Sequence, residues 1–203
     1  MARRSDHTHD EIREMAVEAG LGMIREYGMA YFSARRLAAE IGYTVGTLYN
    51  VFGSYDDIIV HLNARTLDSW FADMLKAVNR PNGGDPVQQL ATFYLSWSGA
   101  HYHEWSALFE YKYAPGYELP DWYPPKYERF FALVETLLLP HVGTSRRKAR
   151  RAARVLFAGI HGIAALSHTG KLAMLAGDSA PSLARSFVES YLAGLRLKNS
   201  NGG

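Results

Sequence analysis

Apolar residues recur along the chain at the three- and four-residue intervals of α-helices, and no stretch sustains the period-two alternation of a strand. The pattern predicts an all-α fold. Thr8, with Glu11 three residues on, is placed to cap a first helix reciprocally. Ile12, Met15, Ala16, Ala19, Met23 and Tyr27 then repeat on one face, and Gly28 can stop the helix. Ser33 can cap a second, short helix, with Phe32 and Leu37 spaced as a hydrophobic staple and Leu37, Ala38 and Ile41 facing inward. Gly42 ends that helix, and Thr44 caps a third that runs to about Phe52. Ser54 and Asp57 open a long fourth helix reaching about Val78. The breaker cluster NRPNGGDP predicts a loop over 79–86. Helices are expected at 86–102 and 104–113, a proline-rich loop at 114–125, and further helices at 125–141, 145–170 and 181–197. NSNGG reads as a frayed tail.

Two short helices joined by a tight turn that contains a glycine describe a helix-turn-helix. Ala38 is small where the two helices must cross, Gly42 suits a left-handed turn, and Leu48 can plug back into the core. The second of these helices would then present Thr44, Val45, Thr47, Tyr49 and Asn50 outward. Hydroxyls, an amide and a helix N-terminus are good phosphate and base-edge ligands without full charge. Gly46 would let a DNA backbone approach closely. The other reading is that 33–52 is simply part of an all-α core.

Three stretches, THDEIREMAVEAGLGMIREYG, SARRLAAEIGYTVGTLYNVF and GSYDDII, in that order, resemble the N-terminal domain of the TetR family of bacterial transcriptional regulators, GTLYNVF most specifically. The resemblance implies that Thr44, Val45, Thr47, Tyr49 and Asn50 face DNA, with Thr47 and Tyr49 at phosphates and Ser33 and Arg35 on the backbone from the preceding helix. One position departs from the family: Tyr55 stands where a phosphate-binding lysine is usual, so a hydrogen bond replaces a charge. Arg3 and Arg4 could compensate as an arm in the groove, or form a solvated tail. The implied organisation is a helix-turn-helix domain at 1–53 and a helical ligand-binding and dimerisation domain at 54–203. Farther along, RVLFAGIHGIAALSHTGKL and HEWSALFEYKY resemble the subgroup with a Trp-His-Gly motif, with Phe157 in place of Trp and Glu104 in place of Pro.

Composition narrows the function without naming it. The chain of 203 residues is 48% hydrophobic and has no cysteine, which excludes disulfides, thiol nucleophiles and Cys-based metal sites. No apolar run is long enough to span a bilayer and none resembles a signal peptide, so a cytoplasmic protein with no membrane partner is expected. Net charge is +2, so DNA binding must rest on local placement. Lys and Arg outnumber acids ten to two beyond residue 145, and SRRKARRAAR (145–154) holds six of them. That run reads as a solvated face, a partner for acids on the middle helices, or the rim of an anionic ligand's entry.

More than half of the Phe, Trp and Tyr residues lie between 93 and 131. An excess of Tyr and Trp suits a pocket for a flat or apolar molecule as well as a core. Tyr94, Trp97, Trp105, Phe109, Phe131 and His161 are the candidate effector contacts. His101 and His103, and His161 and His168, lack metal-ligand spacing, and no cofactor is expected. Small residues at 152, 153, 159 and 162 and an apolar stripe of Leu183, Phe187, Val188, Tyr191 and Leu195 predict a homodimer through the last two long helices, or else an internal seam. The expected function is a DNA-binding regulator, acting as a repressor released from double-stranded operator DNA by a small-molecule effector. The alternative is a helical enzyme or carrier, for which no nucleophile–base pair or paired carboxylates stand at a telling spacing.

Overall fold

In the computed structural model, residues 7–78 and 84–200 are described, and among them there are ten α-helices and no strand. They are α1 His9–Tyr27, α2 Ala34–Glu40, α3 Val45–Phe52, α4 Tyr55–Val78, α5 Pro86–Ala100, α6 Tyr102–Phe109, α7 Pro124–Val142, α8 Arg146–His168, α9 Lys171–Ala176 and α10 Ala180–Ser200. Local chemistry sets the starts. Thr8 and Glu11 form the reciprocal capping box of α1. Ser33, Thr44 and Ser145 each accept an N–H from the third residue beyond and so cap α2, α3 and α8. Ser54 Oγ accepts the Asp57 N–H at 3.1 Å and donates to that carboxylate at 2.6 Å, opening α4. Two elements differ from the sequence expectation: the helix expected to reach 113 ends at Phe109, and α9 is an addition. Part of the loop expected at 79–86 lies outside the described residues.

The chain divides by packing into two compact units, one of residues 1–69 and 101–124, the other of 70–100 and 125–203. This partition by contact is distinct from the division expected at 53/54, because α6 and the segment after it pack with the N-terminal helices.

In the first unit, Ala16, Val17, Leu21, Ile24, Phe32, Leu37, Ala38, Leu48, Ile58, Ile59 and Leu62 form the core, with Ala107 of α6. Gly20 sits where α1 and α4 approach: a Cβ there would lie 2.8 Å from Leu62 Cδ2. The inward face of α1 agrees with the expected one in part: Ile12, Ala16 and Met23 are buried as expected, but Val17, Leu21 and Ile24 are buried too, whereas Tyr27 is 51% exposed. Both faces of α1 carry apolar residues, so the packing partners decide which one turns inward. Glu104, where the Trp-His-Gly subgroup has proline, is buried on α6 and accepts from Arg25 Nε at 2.8 Å and pairs with His101 Nδ1 at 2.9 Å. In the second unit, α10 packs against α5 and α8. Its core includes Val87, Leu90, Tyr94, Phe130, Val134, Leu138, Ala153, Leu156, Ile160, Val188 and Leu192. Among the described residues no helix is long and apolar enough to cross a membrane.

Candidate nucleic-acid interface

Helices α2 and α3 are joined by residues 41–44. Gly42 takes φ +75°, a left-handed conformation that favours glycine at this sharp turn. Ala38 and Leu48 are buried, and Leu48 anchors α3 from below. What α3 turns outward carries no charge. Thr44, Gly46, Tyr49 and Asn50 are exposed, while Val45 and Thr47 are half-buried, with Val45 packed against the core. Thr44 Oγ1 accepts the Thr47 N–H at 3.1 Å and lies 3.0 Å from Thr47 Oγ1, so two hydroxyls sit together at the helix N-terminus. Nothing beyond Thr44 Oγ1, at 3.7 Å, would meet a Cβ added to Gly46. The backbone there is open to an approaching group.

The flanking positions are arranged as follows. Ser33 is half-buried and its hydroxyl accepts the Arg36 N–H at 3.3 Å, while Arg35 is exposed. Tyr55 opens α4 half-buried, its ring 6.0 Å from Phe32, and burial pushes its hydroxyl pKa up. Arg3 and Arg4 lie outside the described residues. Two neighbours were not singled out from the sequence. Tyr43, just before the cap of α3, lies with its hydroxyl 2.8 Å from His7 Nδ1, so the exposed His7 is engaged. Arg36 stacks 3.8 Å over the Tyr31 ring. These contacts join residues 36 and 5 positions apart, and neither spacing carries a local signal.

The six candidate effector contacts do not fall in one packing unit. Trp105 and Phe109 belong to the first, where Trp105 is 1% exposed and packs on Phe109 at 5.6 Å and Tyr102 at 6.2 Å. Tyr94, Trp97, Phe131 and His161 belong to the second. There the Tyr94 hydroxyl lies 2.7 Å from His161 Nδ1, Phe157 contacts Tyr94, Phe131 and His161 with ring centroids 5.5–5.8 Å apart, and Trp97 packs on Trp70 at 6.0 Å. Between α5, α7 and α8 lies an apolar cavity of about 20 Å³, lined by Tyr94, Val87, Leu90, Val134, Phe157 and Ile160 among others. That volume is enough for about one water. This cavity admits an effector of drug size only if its side chains move.

The expected dimer stripe is partly internal. A Cβ on Gly159 of α8 would lie 2.3 Å from Phe187 Cζ of α10, so the ring fills the space that glycine leaves within the same chain. Phe187 stacks on Tyr191 at 5.8 Å, and Tyr191 donates to the Ala152 carbonyl at 3.2 Å. Exposed beside this seam are Val155, Leu166 and Leu197, and Gly162 has open space around it. Of the basic run, Arg150 and Arg154 reach Glu135 of α7 at 3.8 and 3.4 Å, and Arg154 lies 5.1 Å from the Phe131 ring. Among the described residues no three His, Cys, Asp or Glu side chains are grouped to hold a metal.

Residues 87–189 match a family model described as the tetracyclin repressor-like C-terminal domain. The match does not name the Trp-His-Gly subgroup. No curated protein matches in sequence. Among solved structures, a protein of unknown function from Rhodococcus sp. RHA1 is 21% identical, with a TM-score of 0.72 over 96% of this chain and 100% of that one. A possible TetR family transcriptional regulator from Streptomyces coelicolor A3(2) is 20% identical, with a TM-score of 0.57 over 93% and 97%. The multidrug binding protein EbrR, in complex with imidazole, is 21% identical, with a TM-score of 0.57 over 88% and 93%. These three share the all-α fold. With the match spanning just over half of its length, the chain belongs to the TetR (tetracyclin repressor-like) family of transcriptional regulators.

Proposed function

We propose that the chain is a homodimeric repressor that binds a near-palindromic operator through residues 1–53 and is released by a small, largely apolar or aromatic effector bound within 54–203. It acts in the cytoplasm. The observation that carries the reading is the outward surface of α3: an uncharged N-terminus with paired threonine hydroxyls, an open glycine backbone and Tyr49 at 40% exposure. Helix N-termini and hydroxyls hold phosphates while the first residues of a recognition helix lie in the major groove. Thr44, Val45, Thr47, Tyr49 and Asn50 form the reading surface, Ser33, Arg35 and Tyr55 its flanks. Two such heads on a dimer would sit about 34–36 Å apart, or one further helical turn.

The effector class rests on two supports. Tyr94 and Phe157 line apolar space together with Phe130 and Ile160, and the Tyr94 hydroxyl, 2.7 Å from His161 Nδ1, supplies a polar handle beside it. EbrR, alike in fold, binds imidazole and malachite green. Release follows if the effector prefers a state with different head spacing.

Tyr49→Phe tests the interface. It removes a hydroxyl from an exposed position, so the fold is expected to stand. A lost hydrogen bond of about 1 kcal/mol per head is about 2 kcal/mol for the dimer, or roughly 30-fold in affinity. The loss should be equal on specific and unrelated duplexes, because phosphate contacts carry no sequence. Unchanged affinity in a filter-binding assay would remove Tyr49 from the interface.

A further inference from the structure

We infer that Tyr111 and Tyr117 are positioning residues for DNA recognition: from the segment after α6 they hold the two carboxylates in the first turn of α4, and through them the pose of the recognition helix. The inference rests on the DNA-binding reading of α3.

The covalent link is short. α3 ends at Phe52, only Gly53 and Ser54 intervene, and α4 begins at Tyr55. Gly53 takes φ +101°, and a Cβ there would lie 3.0 Å from Asp57 Oδ2, so the Asp57 carboxylate packs directly against the α3–α4 turn. Fixing that carboxylate fixes the turn.

Both carboxylates are held from the same segment. Tyr111 donates its hydroxyl to Asp56 Oδ1 at 2.6 Å, and the Ala114 N–H donates to Asp56 Oδ2 at 3.2 Å. Tyr117 donates to Asp57 Oδ1 at 2.6 Å, while Ser54 Oγ occupies Asp57 Oδ2 at 2.6 Å. Asp56 is 8% exposed, so its carboxylate depends on these donors. Burial and the aspartate partners raise the pKa of both phenols, which keeps them as donors. Hydrogen bonds to charged acceptors are the stronger kind.

The segment acts as one piece. Tyr113 stands between the two, edge-on to Tyr111 at 5.1 Å and stacked on Tyr117 at 5.3 Å. Its base is anchored where Asn63, 1% exposed, donates to the Ala107 carbonyl at 3.2 Å. Its far end reaches α3 by another route. The His61 ring lies between Trp122, at 4.9 Å, and Phe52, the last residue of α3, at 5.2 Å. Helix α4 needs none of this to form, since Ser54 and Asp57 already cap it. The two tyrosines therefore add orientation, and the last residue of the recognition helix and the first turn after it are gripped by the same stretch, 111–122.

The test uses the full chain and a fluorescent duplex selected from random-sequence DNA by the wild-type protein. Binding of Tyr111→Phe/Tyr117→Phe is followed by anisotropy across salt concentrations, at a temperature where circular dichroism shows the variant folded. If the latch keeps the head competent, its loss leaves a minority competent and weakens binding by about tenfold. The slope of affinity against salt should also fall, because a tilted head reaches fewer phosphates. A merely stabilising role would lower the melting temperature and leave both the affinity and the slope of the folded protein unchanged. A loss under threefold, or a loss with the wild-type slope, overturns the proposal. If the double variant does not fold, Tyr117→Phe alone is held to the same two criteria. Failure of the wild-type protein to select any duplex overturns the DNA-binding reading as well, which separates the two failures.

Discussion

Gly46→Ala should move stability and DNA affinity in opposite directions. Gly46 lies in the first turn of α3, is exposed, and has room for a Cβ, whose nearest contact would be Thr44 Oγ1 at 3.7 Å. Glycine in a helix is disfavoured against alanine by roughly 0.5–1 kcal/mol, and less near an end. The free protein should therefore gain up to about 0.5 kcal/mol, a rise in melting temperature of about 1–2 °C for a chain of this size. If the α3 backbone meets DNA, the new methyl group stands between the helix N-terminus and the phosphate it holds. Losing one charge-assisted contact of about 1.5 kcal/mol or more per head makes the dimer weaker by at least about 100-fold. Calorimetry gives the first number and a mobility shift on a selected duplex the second. Higher stability with unchanged affinity would refute the placement of this turn against DNA. Lower stability would refute the open space at Gly46. A core role for α3 cannot produce the expected pair of results, since a residue important only for packing changes both in the same sense.

Trp97 is 6% exposed and packs on Trp70, so Trp97→Ala should cost about 3–5 kcal/mol of stability. If the aromatic cluster is the effector site, the folded variant should keep its operator affinity and change its response to an apolar aromatic probe such as malachite green; destabilisation with an unaltered response would make the cluster core alone. His141 is buried, accepts from Arg196 Nε at 3.0 Å and lies 3.9 Å from Asp85 Oδ2, and burial followed by the Arg196 charge lowers its pKa. The folded state thus prefers the neutral imidazole. The stability this gives is present above the unfolded value of about 6.5 and is lost as pH falls below it towards the folded value. Melting temperature should drop from pH 7.5 to 5.5, less steeply in His141→Asn, with part of the slope persisting because His61 is shifted the same way by burial. Equal slopes in the two proteins would refute it.

The helix starts were legible because capping is chemistry between residues three apart. Thr8 with Glu11, Ser33, Thr44, and Ser54 with Asp57 all hold the places expected of them. The helix-turn-helix was legible for the same reason: a small residue, a left-handed glycine and a plugging leucine occupy fixed offsets within eleven residues, and Ala38, Gly42 and Leu48 are buried, turned and buried as that pattern requires. What needed the tertiary structure was every choice between surfaces of equal hydrophobicity. α1 could have turned Tyr27 inward and instead buries Val17, Leu21 and Ile24, because α4 and α6 set its face. Trp105 and Phe109 share helical spacing with Tyr94 and Trp97 yet belong to another packing unit. Phe187 looked free for a partner subunit and fills the gap over Gly159 in its own. The grip of Tyr111 and Tyr117 on Asp56 and Asp57 joins residues 55 and 60 positions apart. Periodicity says that a side chain is apolar and on which side of its own helix it stands; which neighbour covers that side is fixed only when the whole chain competes to bury its surface at once.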